Sequence, residues 1–373
     1  MQILHRLRWF PPIAVNNCIR YYAKKPQIAT MPGNRLMVQQ EFLHYVNQYA
    51  RINIKSDIYV HVEPVDVHVH TSGDVFIAQL RGEATHNCNA QLDVNVSDDD
   101  KVVNVLIKQL TPQANRSRCI LKIPIWAEAH IEAAAKVFVQ SIQSEALEIK
   151  ANEGITTRNV RATNIALYSE KGNIVCQGVL LGKRTEIETH NGNIVLDKLQ
   201  GDSLKCSTKT GSINTDSCYV ENSKFETTTG NMDLKNVHKT SEVHVHEAGD
   251  LKMTGVHGNL SVNSKGGNLS LQLSELIGKS QIVAHNLANE AVIKISEAIE
   301  STINIEVKAA VVKLDNELEH VAHALSNDKS TFQLSGAKEH HLIVSSTGSN
   351  GVRLGKQSWL DLMCQTINSN VKS

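Results

Sequence analysis

Three consecutive stretches of the sequence share one plan: IETHNGNIVLDKL (residues 187–199), CSTKTGSINTDSC (residues 206–218) and FETTTGNMDLKNV (residues 225–237). In each stretch a glycine is followed by a polar residue and then by alternating apolar side chains. The distance from one glycine to the next is 19 residues. A fixed period of this length is typical of repeat proteins, in which each unit buries its apolar side against the next.

The plan extends in both directions along the chain. Ala135 takes the glycine position of an earlier copy, and Gly73 begins a further copy. The other glycines, which recur every 18 to 20 residues, are Gly154, Gly172, Gly192, Gly211, Gly230, Gly249 and Gly267. We predict that all of these glycines are structural turn residues, because glycine tolerates backbone angles closed to other residues.

Apolar residues recur at fixed distances from each glycine. The positions two and four residues after it share one side of a strand, because side chains alternate with period two. Seven residues after the glycine, five copies carry Val179, Leu199, Cys218, Val237 and Val256. We therefore predict an all-β fold: a single right-handed parallel β-solenoid with coils of about 19 residues and β-rich caps at both ends. An antiparallel meander is the alternative, since Asn191-Gly192 also suits a two-residue hairpin.

The repeat divides the chain into five predicted segments. They are a mitochondrial transit peptide (1–22), a linker with a short helix (23–57), an N-terminal β cap (58–134), the solenoid repeats (135–278) and a repeat remnant with a C-terminal cap (279–373). The helix is suggested by the spacing of Phe42, Tyr45, Val46 and Tyr49. Caps are expected because the end coils would otherwise expose apolar surface and unpaired strand edges.

The beginning of the chain predicts a mitochondrial location. The first 40 residues hold six Lys or Arg and no acidic residue, and Arg20-Tyr21-Tyr22-Ala23 resembles a matrix processing site with cleavage after Tyr22. A secretory signal peptide is the alternative, but the longest apolar run here is far shorter than its hydrophobic region.

Composition excludes several other classes. The chain has 38 basic and 38 acidic residues, and it becomes slightly acidic without the leader, which argues against general nucleic-acid binding. No apolar run reaches the length of a transmembrane segment. Seven cysteines without a Cys-x-x-Cys pair predict reduced thiols, and Cys176, Cys206 and Cys218 fall at inward positions.

Two histidine pairs are the candidate metal ligands. His68 and His70, like His244 and His246, are separated by one residue, so each pair would project from one face of a strand. With a third ligand such a pair could bind zinc. Because the valines between them are expected to point inward, ordinary solvent-exposed histidines are the favoured interpretation. Residues 98–100, all aspartate, are interpreted as a charged hairpin tip and not as a calcium site.

No catalytic residues and no cofactor are predicted, because nucleotide-binding, zinc-protease and serine-hydrolase motifs are absent from the sequence. Two functions remain open. One is a non-catalytic scaffold that binds another protein through a solenoid face. The other is a carbohydrate-active hydrolase or lyase of the β-helix kind, against which an aromatic content of 4% counts.

Leu121-Lys-Ile-Pro leading into repeated Gly-Asn-Ile units resembles the bacterial putative-adhesin family of domains of unknown function. The resemblance covers about residues 58–355, and its combination with the basic leader looks like animal members of that family. It implies a β-solenoid and, in bacteria, surface adhesion. It implies no catalytic residues.

Overall fold

A computed structural model of the chain describes residues 19–20, 36–83, 89–111, 117–319, 322–324, 330–334 and 340–357. The chain divides into two compact units, residues 1–152 and 153–373. Apart from residues 19–20, the predicted transit peptide lies outside the described residues.

The described part of the first unit consists of strands and the turns between them. The strands are β1 (Ile19–Arg20), β2 (Leu36–Tyr45), β3 (Arg51–Ser56), β4 (Tyr59–Pro64), β5 (Val75–Glu83), β6 (Ala90–Val96), β7 (Val102–Gln109), β8 (Arg118–Ile123), β9 (Glu128–Ala133), β10 (Val137–Gln140) and β11 (Gln143–Ala151). They pair in two series, β1-β2-β5-β8-β4-β10 and β6-β7-β3-β9-β11. β6 and β7 form the hairpin predicted around residues 97–101.

Parallel stacking already begins in the first unit, but not in chain order. β3 pairs in parallel with β7 and β9, and β4 pairs in parallel with β8 and β10. β3 and β4 therefore lie in the middle of this stack, although they precede the strands on both sides of them in the chain. Residues inserted between successive strands thus replace the regular 19-residue rhythm, which is why the sequence does not reveal these coils.

The repeat copy predicted at Gly73 is wrong, because β5, which follows this glycine, pairs antiparallel with β2 and β8. Val67 and Val69 lie exposed in a turn, although their sequence counterparts in the copy at Gly249 are buried. Asp66 explains the difference. Its carbonyl accepts hydrogen bonds from the N–H groups of Val69 and His70 (3.1 and 2.8 Å), which closes the turn directly after Pro64 ends β4.

The short helix predicted within residues 23–57 is also wrong for the described part of that range, since Leu36–Tyr45 is a strand. Phe42 and Val46 are both buried, but a spacing of four residues fits a strand as well as a helix. Tyr45 and Tyr49, which a helix would place beside them, are 62% and 70% exposed. Pairing with β5 along the whole of β2 therefore overrides the local spacing.

The described part of the second unit contains fifteen strands and two short helices. In chain order they are β12 (Gly154–Ser169), β13 (Asn173–Thr189), β14 (Ile194–Thr208), β15 (Ile213–Thr227), β16 (Met232–Val245), β17 (Leu251–Lys265), β18 (Leu269–Leu276), β19 (Lys279–His285), β20 (Ala291–Ile295), α1 (Glu297–Thr302), β21 (Ile303–Lys308), β22 (Val312–Leu314), α2 (Asn316–Glu319), β23 (Ala322–Ala324), β24 (Thr331–Leu334), β25 (His340–Ser346) and β26 (Val352–Lys356).

The coils of the repeat stack in parallel. Each of the strands β12 to β17 is 14 to 17 residues long, and each pairs in parallel with the next. The parallel β-solenoid is therefore confirmed and the antiparallel meander is excluded for these strands; the right-handed winding and the five segment boundaries stay predictions. Towards the C-terminus the stack again departs from chain order, because β25 and β26 lie between β19–β20 and β21–β22.

The inward columns agree with the predicted pattern, with one correction. The residues two positions after the glycines are all buried, from Ile174 to Leu269. At the position seven residues after the glycine, however, the coil that begins at Gly172 departs from the pattern. It buries Leu180 and not Val179. This coil is the one with a 20-residue interval, and its extra residue is taken up where the register shifts between Cys176 and Val179.

The four cysteines within the described residues, Cys119, Cys176, Cys206 and Cys218, are buried, and the thiols of Cys176, Cys206 and Cys218 form no disulfide. Burial raises the pKa of the Cys176 thiol to about 12 and that of Cys218 to about 11. A thiol held protonated in this way packs as a small apolar group, as predicted for the inward positions.

The structure gives the repeat glycines a second physical role beside the predicted one. The structure gives Gly154, Gly249 and Gly267 positive φ angles, but not Gly211. What the column shares is a close approach: a Cβ on Gly211 would lie 1.8 Å from the carbonyl oxygen of Gly192, and the other coils repeat this geometry. Glycine is required because the turns of successive coils stack backbone on backbone.

The polar residue after each glycine links neighbouring coils. The N–H of Asn193 donates to Oδ1 of Asn173 at 2.9 Å, and the N–H of Ser212 donates to Oδ1 of Asn193 at the same distance. Farther along, the N–H of Asp250 donates to Oδ1 of Asn231 at 2.9 Å. These side chains therefore accept hydrogen bonds from the backbone of the next coil.

Candidate protein-binding face

The second halves of β13 to β16 present a flat row of ionisable side chains, which we name the charged face. Inward and outward residues alternate here, and the parallel register places outward residues of successive coils side by side. One column runs Glu186, Lys205, Lys224, Glu242, and the next runs Glu188, Ser207, Glu226, His244. The fixed spacing of coils, about 4.8 Å, makes this a regular array of charge.

Most of these charges are paired with one another. Lys205 Nζ lies 2.8 Å from Glu186 Oε1 in the preceding coil. Lys224 Nζ lies 3.1 Å from Glu226 Oε1 on its own strand. Within β16, His244 Nε2 lies 2.5 Å from Glu242 Oε1. The face therefore carries a defined pattern of opposite charges and not one sign of charge.

The pairing favours the ionised forms of Lys205 and Glu242. The hydrogen bond to Glu186 raises the pKa of Lys205, and the hydrogen bond from His244 lowers the pKa of Glu242. Side-chain hydrogen bonds likewise lower the pKa of Asp99, Glu148 and Glu290, which lie outside this face. A general acid needs the opposite shift, so the hydrogen bond from His244 suits Glu242 to an ion pair and not to proton donation.

A second outward surface, formed by the first halves of β15 to β17, provides a comparison. We name it the amino-side face; its columns include Asn214, Asp233 and Lys252. On this face Lys235 Nζ lies 3.1 Å from Asp216 Oδ1 of the preceding coil. Its residues Lys235 and Lys252 are exposed, as Lys205 is, and they serve as controls for the charged face.

The histidine pairs have different surroundings in the structure. His68 and His70 lie in the turn after β4 and not on a strand face. His244 and His246 lie at the edge of the charged face, with their rings stacked 5.8 Å apart and their Nε2 atoms directed at Glu242 and Glu226. No cluster of three or more His, Cys, Asp or Glu side chains suited to a metal occurs in the described part of the chain.

The aspartates at the β6–β7 hairpin tip are engaged by protein groups. Ser97 Oγ donates to Asp99 Oδ1 at 2.7 Å, and His44 Nε2 lies 3.0 Å from Asp100 Oδ1. The bond from Ser97, together with the N–H of Lys101, lowers the pKa of Asp99. The carboxylates of Asp99 and Asp100 thus accept hydrogen bonds from protein groups, as expected at a hairpin tip.

A stack of rings on a third side of the coils was missed by the sequence reading. Tyr219 stacks on His238 at 4.4 Å between ring centroids, and His238 stacks on His257 at 4.7 Å. Lys198 Nζ lies 5.8 Å from the centre of the Tyr219 ring. The spacing of 19 residues between these three rings was the available signal, since in-register coils place such residues in one column.

The stack predicts a dependence of stability on pH. Burial first, and then the neighbouring charge of His257, lowers the pKa of His238. The contribution of neutral His238 to the free energy of unfolding is therefore complete above the pKa of His in the unfolded chain, about 6.5. It is lost as the pH falls through the lower pKa of the folded protein.

We expect the unfolding temperature to fall between pH 7 and pH 5, and His238→Gln to flatten part of that decrease. Thermal unfolding of both proteins across this range measures the effect. Some slope remains in the variant, because burial also lowers the pKa of His61. Identical slopes for the two proteins would contradict the prediction.

Parallel coils, inward apolar columns and backbone-stacked glycine turns define the chain as a β-solenoid protein. A family model matches residues 55–288, and the chain accordingly belongs to the Toastrack DUF4097 family. Neither helix of the described chain is long and apolar enough to cross a membrane.

Solved bacterial structures also match. A putative adhesin from Parabacteroides merdae is 10% identical, covers 85% of this chain and 95% of its own, and has a TM-score of 0.34. One from Parabacteroides distasonis is 13% identical, with 70% and 94% coverage and a TM-score of 0.33. A putative cell adhesion protein from Clostridium sporogenes is 8% identical, with 87% and 100% coverage and a TM-score of 0.20.

Proposed function

We propose that the chain is a non-catalytic scaffold whose charged face binds another protein. The observation that carries this proposal is the in-register array of ionisable side chains across four successive coils. A long flat face of this kind suits an extended contact, and a pattern of both signs selects a partner with the complementary pattern.

The ion pairs of the charged face are weak enough to be replaced by ion pairs with a bound protein. Exposed ion pairs such as Lys205 with Glu186 contribute only about 0–1 kcal/mol each. They can therefore be replaced by ion pairs with a bound protein at small cost, while the buried columns beneath keep the array rigid. Rigidity lowers the entropic cost of binding, because the array needs no ordering on contact.

Charge reversal on one face tests this proposal. We expect Lys205→Glu with Lys224→Glu to reduce recovery of the partner by at least tenfold, which corresponds to about 1.4 kcal/mol or more. The measurement is proximity labelling by the full chain in cells, followed by binding of the purified partner.

The control is Lys235→Glu with Lys252→Glu on the amino-side face, which changes the charge by the same amount. We expect recovery of the partner to change less than about twofold in this variant. Equal losses in both variants, or a purified protein that turns over a glycan or an ester while no partner is recovered, would overturn the proposal.

We further propose a mitochondrial location for this member of the family, in the matrix. The support is the basic, acid-free leader with its processing site after Tyr22. Full-length tagged protein should enter mitochondria and lose about 22 residues, whereas the chain without residues 1–22 should stay in the cytosol. N-terminal sequencing of the organellar protein decides this, and recovery of an intact Met1 would refute the cleavage.

A further inference from the structure

The outer edge of β2 is largely uncovered within the described chain. On one side β2 pairs with β5 along its full length of ten residues. On the other side it pairs with β1 at Phe42 and Glu41 alone. The backbone N–H and C=O groups of such an edge are a template for another strand.

The usual protections of an edge strand are weak here. β2 contains no lysine and no proline, and its one charged carboxylate is Glu41. A bulge interrupts the strand between Val38 and Gln40, but from Gln40 to Tyr45 the register with β5 is continuous. Leu43 and Tyr45 on this regular part are 42% and 62% exposed.

We propose that this edge pairs antiparallel with the same edge of a second copy of the chain, with a twofold axis at Leu43. Residues directly opposite each other in a sheet share a face, so Glu41, Leu43 and Tyr45 of one copy must meet the same three residues of the other. The axis at Leu43 places the two exposed leucines opposite each other and Tyr45 opposite Glu41.

Charge favours this register over the one with its axis at Glu41, two residues away. An axis at Glu41 would place two carboxylates directly opposite each other, which destabilises an antiparallel pair. The axis at Leu43 keeps the two Glu41 carboxylates apart, each opposite Tyr45 of the other copy. The edge is thus self-complementary, which is what a symmetric dimer requires.

β1 competes with this pairing. It occupies the edge at Phe42 and Glu41, inside the stretch that the second copy needs. Loss of residues 1–22 removes β1, so the shortened chain is the form that dimerises. The inference is independent of the charged face, which belongs to the second unit.

Sedimentation equilibrium tests the inference on three proteins: the full chain, the chain without residues 1–22, and the full chain with Ile19→Pro. Proline at this position removes a backbone N–H and releases β1 without shortening the chain. We expect the full chain to be monomeric, and the other two to dimerise with a Kd at least tenfold lower.

Two substitutions made in the shortened chain locate the interface. Leu43→Lys should restore the monomer, whereas Leu110→Lys, at an exposed leucine of the same unit outside β2, should leave the dimer unchanged. Far-UV circular dichroism confirms that each variant is folded.

A shortened chain and an Ile19→Pro variant that both stay monomeric at about 200 µM, where even a weak strand-to-strand contact would register, would overturn the inference. A dimer that persists with Leu43→Lys would do the same. A monomer that instead binds an extended peptide along β2 would assign the edge to a different partner and would also overturn it.

Discussion

Gly211→Ala should destabilise the second unit far more than Gly278→Ala. The added methyl group at residue 211 would lie 1.8 Å from the carbonyl oxygen of Gly192 and 2.5 Å from its carbon. Both atoms belong to the backbone of the neighbouring coil, so relief requires the coils to separate. We expect a loss of more than about 3 kcal/mol, since a forced backbone overlap is among the most costly substitutions.

Gly278→Ala separates this effect from the ordinary cost of replacing glycine. Gly278 has a φ of +71°, but the nearest atom to its added Cβ, Asn259 Nδ2, is 3.6 Å away. The left-handed conformation alone costs about 1–2 kcal/mol. Urea unfolding of the two variants measures the difference, and equal midpoints would show that close stacking of the turns is not what selects glycine.

Phe225→Ala should produce the second large loss of stability. Phe225 is fully buried and is the largest side chain on the inward columns of the repeat, opposite Cys206 and Val243 in the neighbouring coils. Truncating a buried phenylalanine to alanine costs about 3–5 kcal/mol, because the lost apolar contacts are accompanied by a cavity.

Urea unfolding measures this loss, and Phe225→Leu and Tyr219→Ala are its controls. Leucine keeps most of the buried volume and should cost about half as much or less. Tyr219 is 45% exposed on the outer side of the same strand, so its loss should cost about 1 kcal/mol, most of it from the ring stack. A loss for Phe225→Ala no greater than that for Tyr219→Ala would contradict the inward assignment.

The repeat could be predicted because each coil imposes the same demands on the sequence. Inward positions must be apolar, the stacked turn must lack a Cβ, and the next residue must offer an oxygen to the following coil. Ile194, Gly192 and Asn193 meet these demands within three consecutive residues. Their recurrence sets the register, and the register sets which outward side chains meet on the charged face.

What the sequence left open depends on contacts between distant segments. The turn at Val67 and its near twin at Val243 have almost the same residues, yet only the second continues a coil, because Pro64 and Asp66 end the first. The insertion of β25–β26 between earlier coils leaves no periodic signal, since chain order and stacking order differ there.

The ion pairs of the charged face could not be predicted from the sequence either. Glu186 and Lys205 lie 19 residues apart, and they meet only because two coils stack in register. Sequence alone shows that both are polar and outward, but not that they neutralise each other. The edge of β2 was missed because a spacing of four residues suggested a helix.

Engineered disulfides test the in-register parallel stacking on which the charged face depends. Asn214 and Asp233 are partners in adjacent coils, and neighbouring strands lie about 4.8 Å apart, within the Cα range that a disulfide spans. We predict that Asn214→Cys with Asp233→Cys forms a disulfide in the folded protein, detected as the loss of two hydrogens by mass spectrometry. Asn214→Cys with Lys252→Cys, two coils apart, should not. Crosslinking of the second pair, or failure of the first in a folded protein, would contradict the stacking.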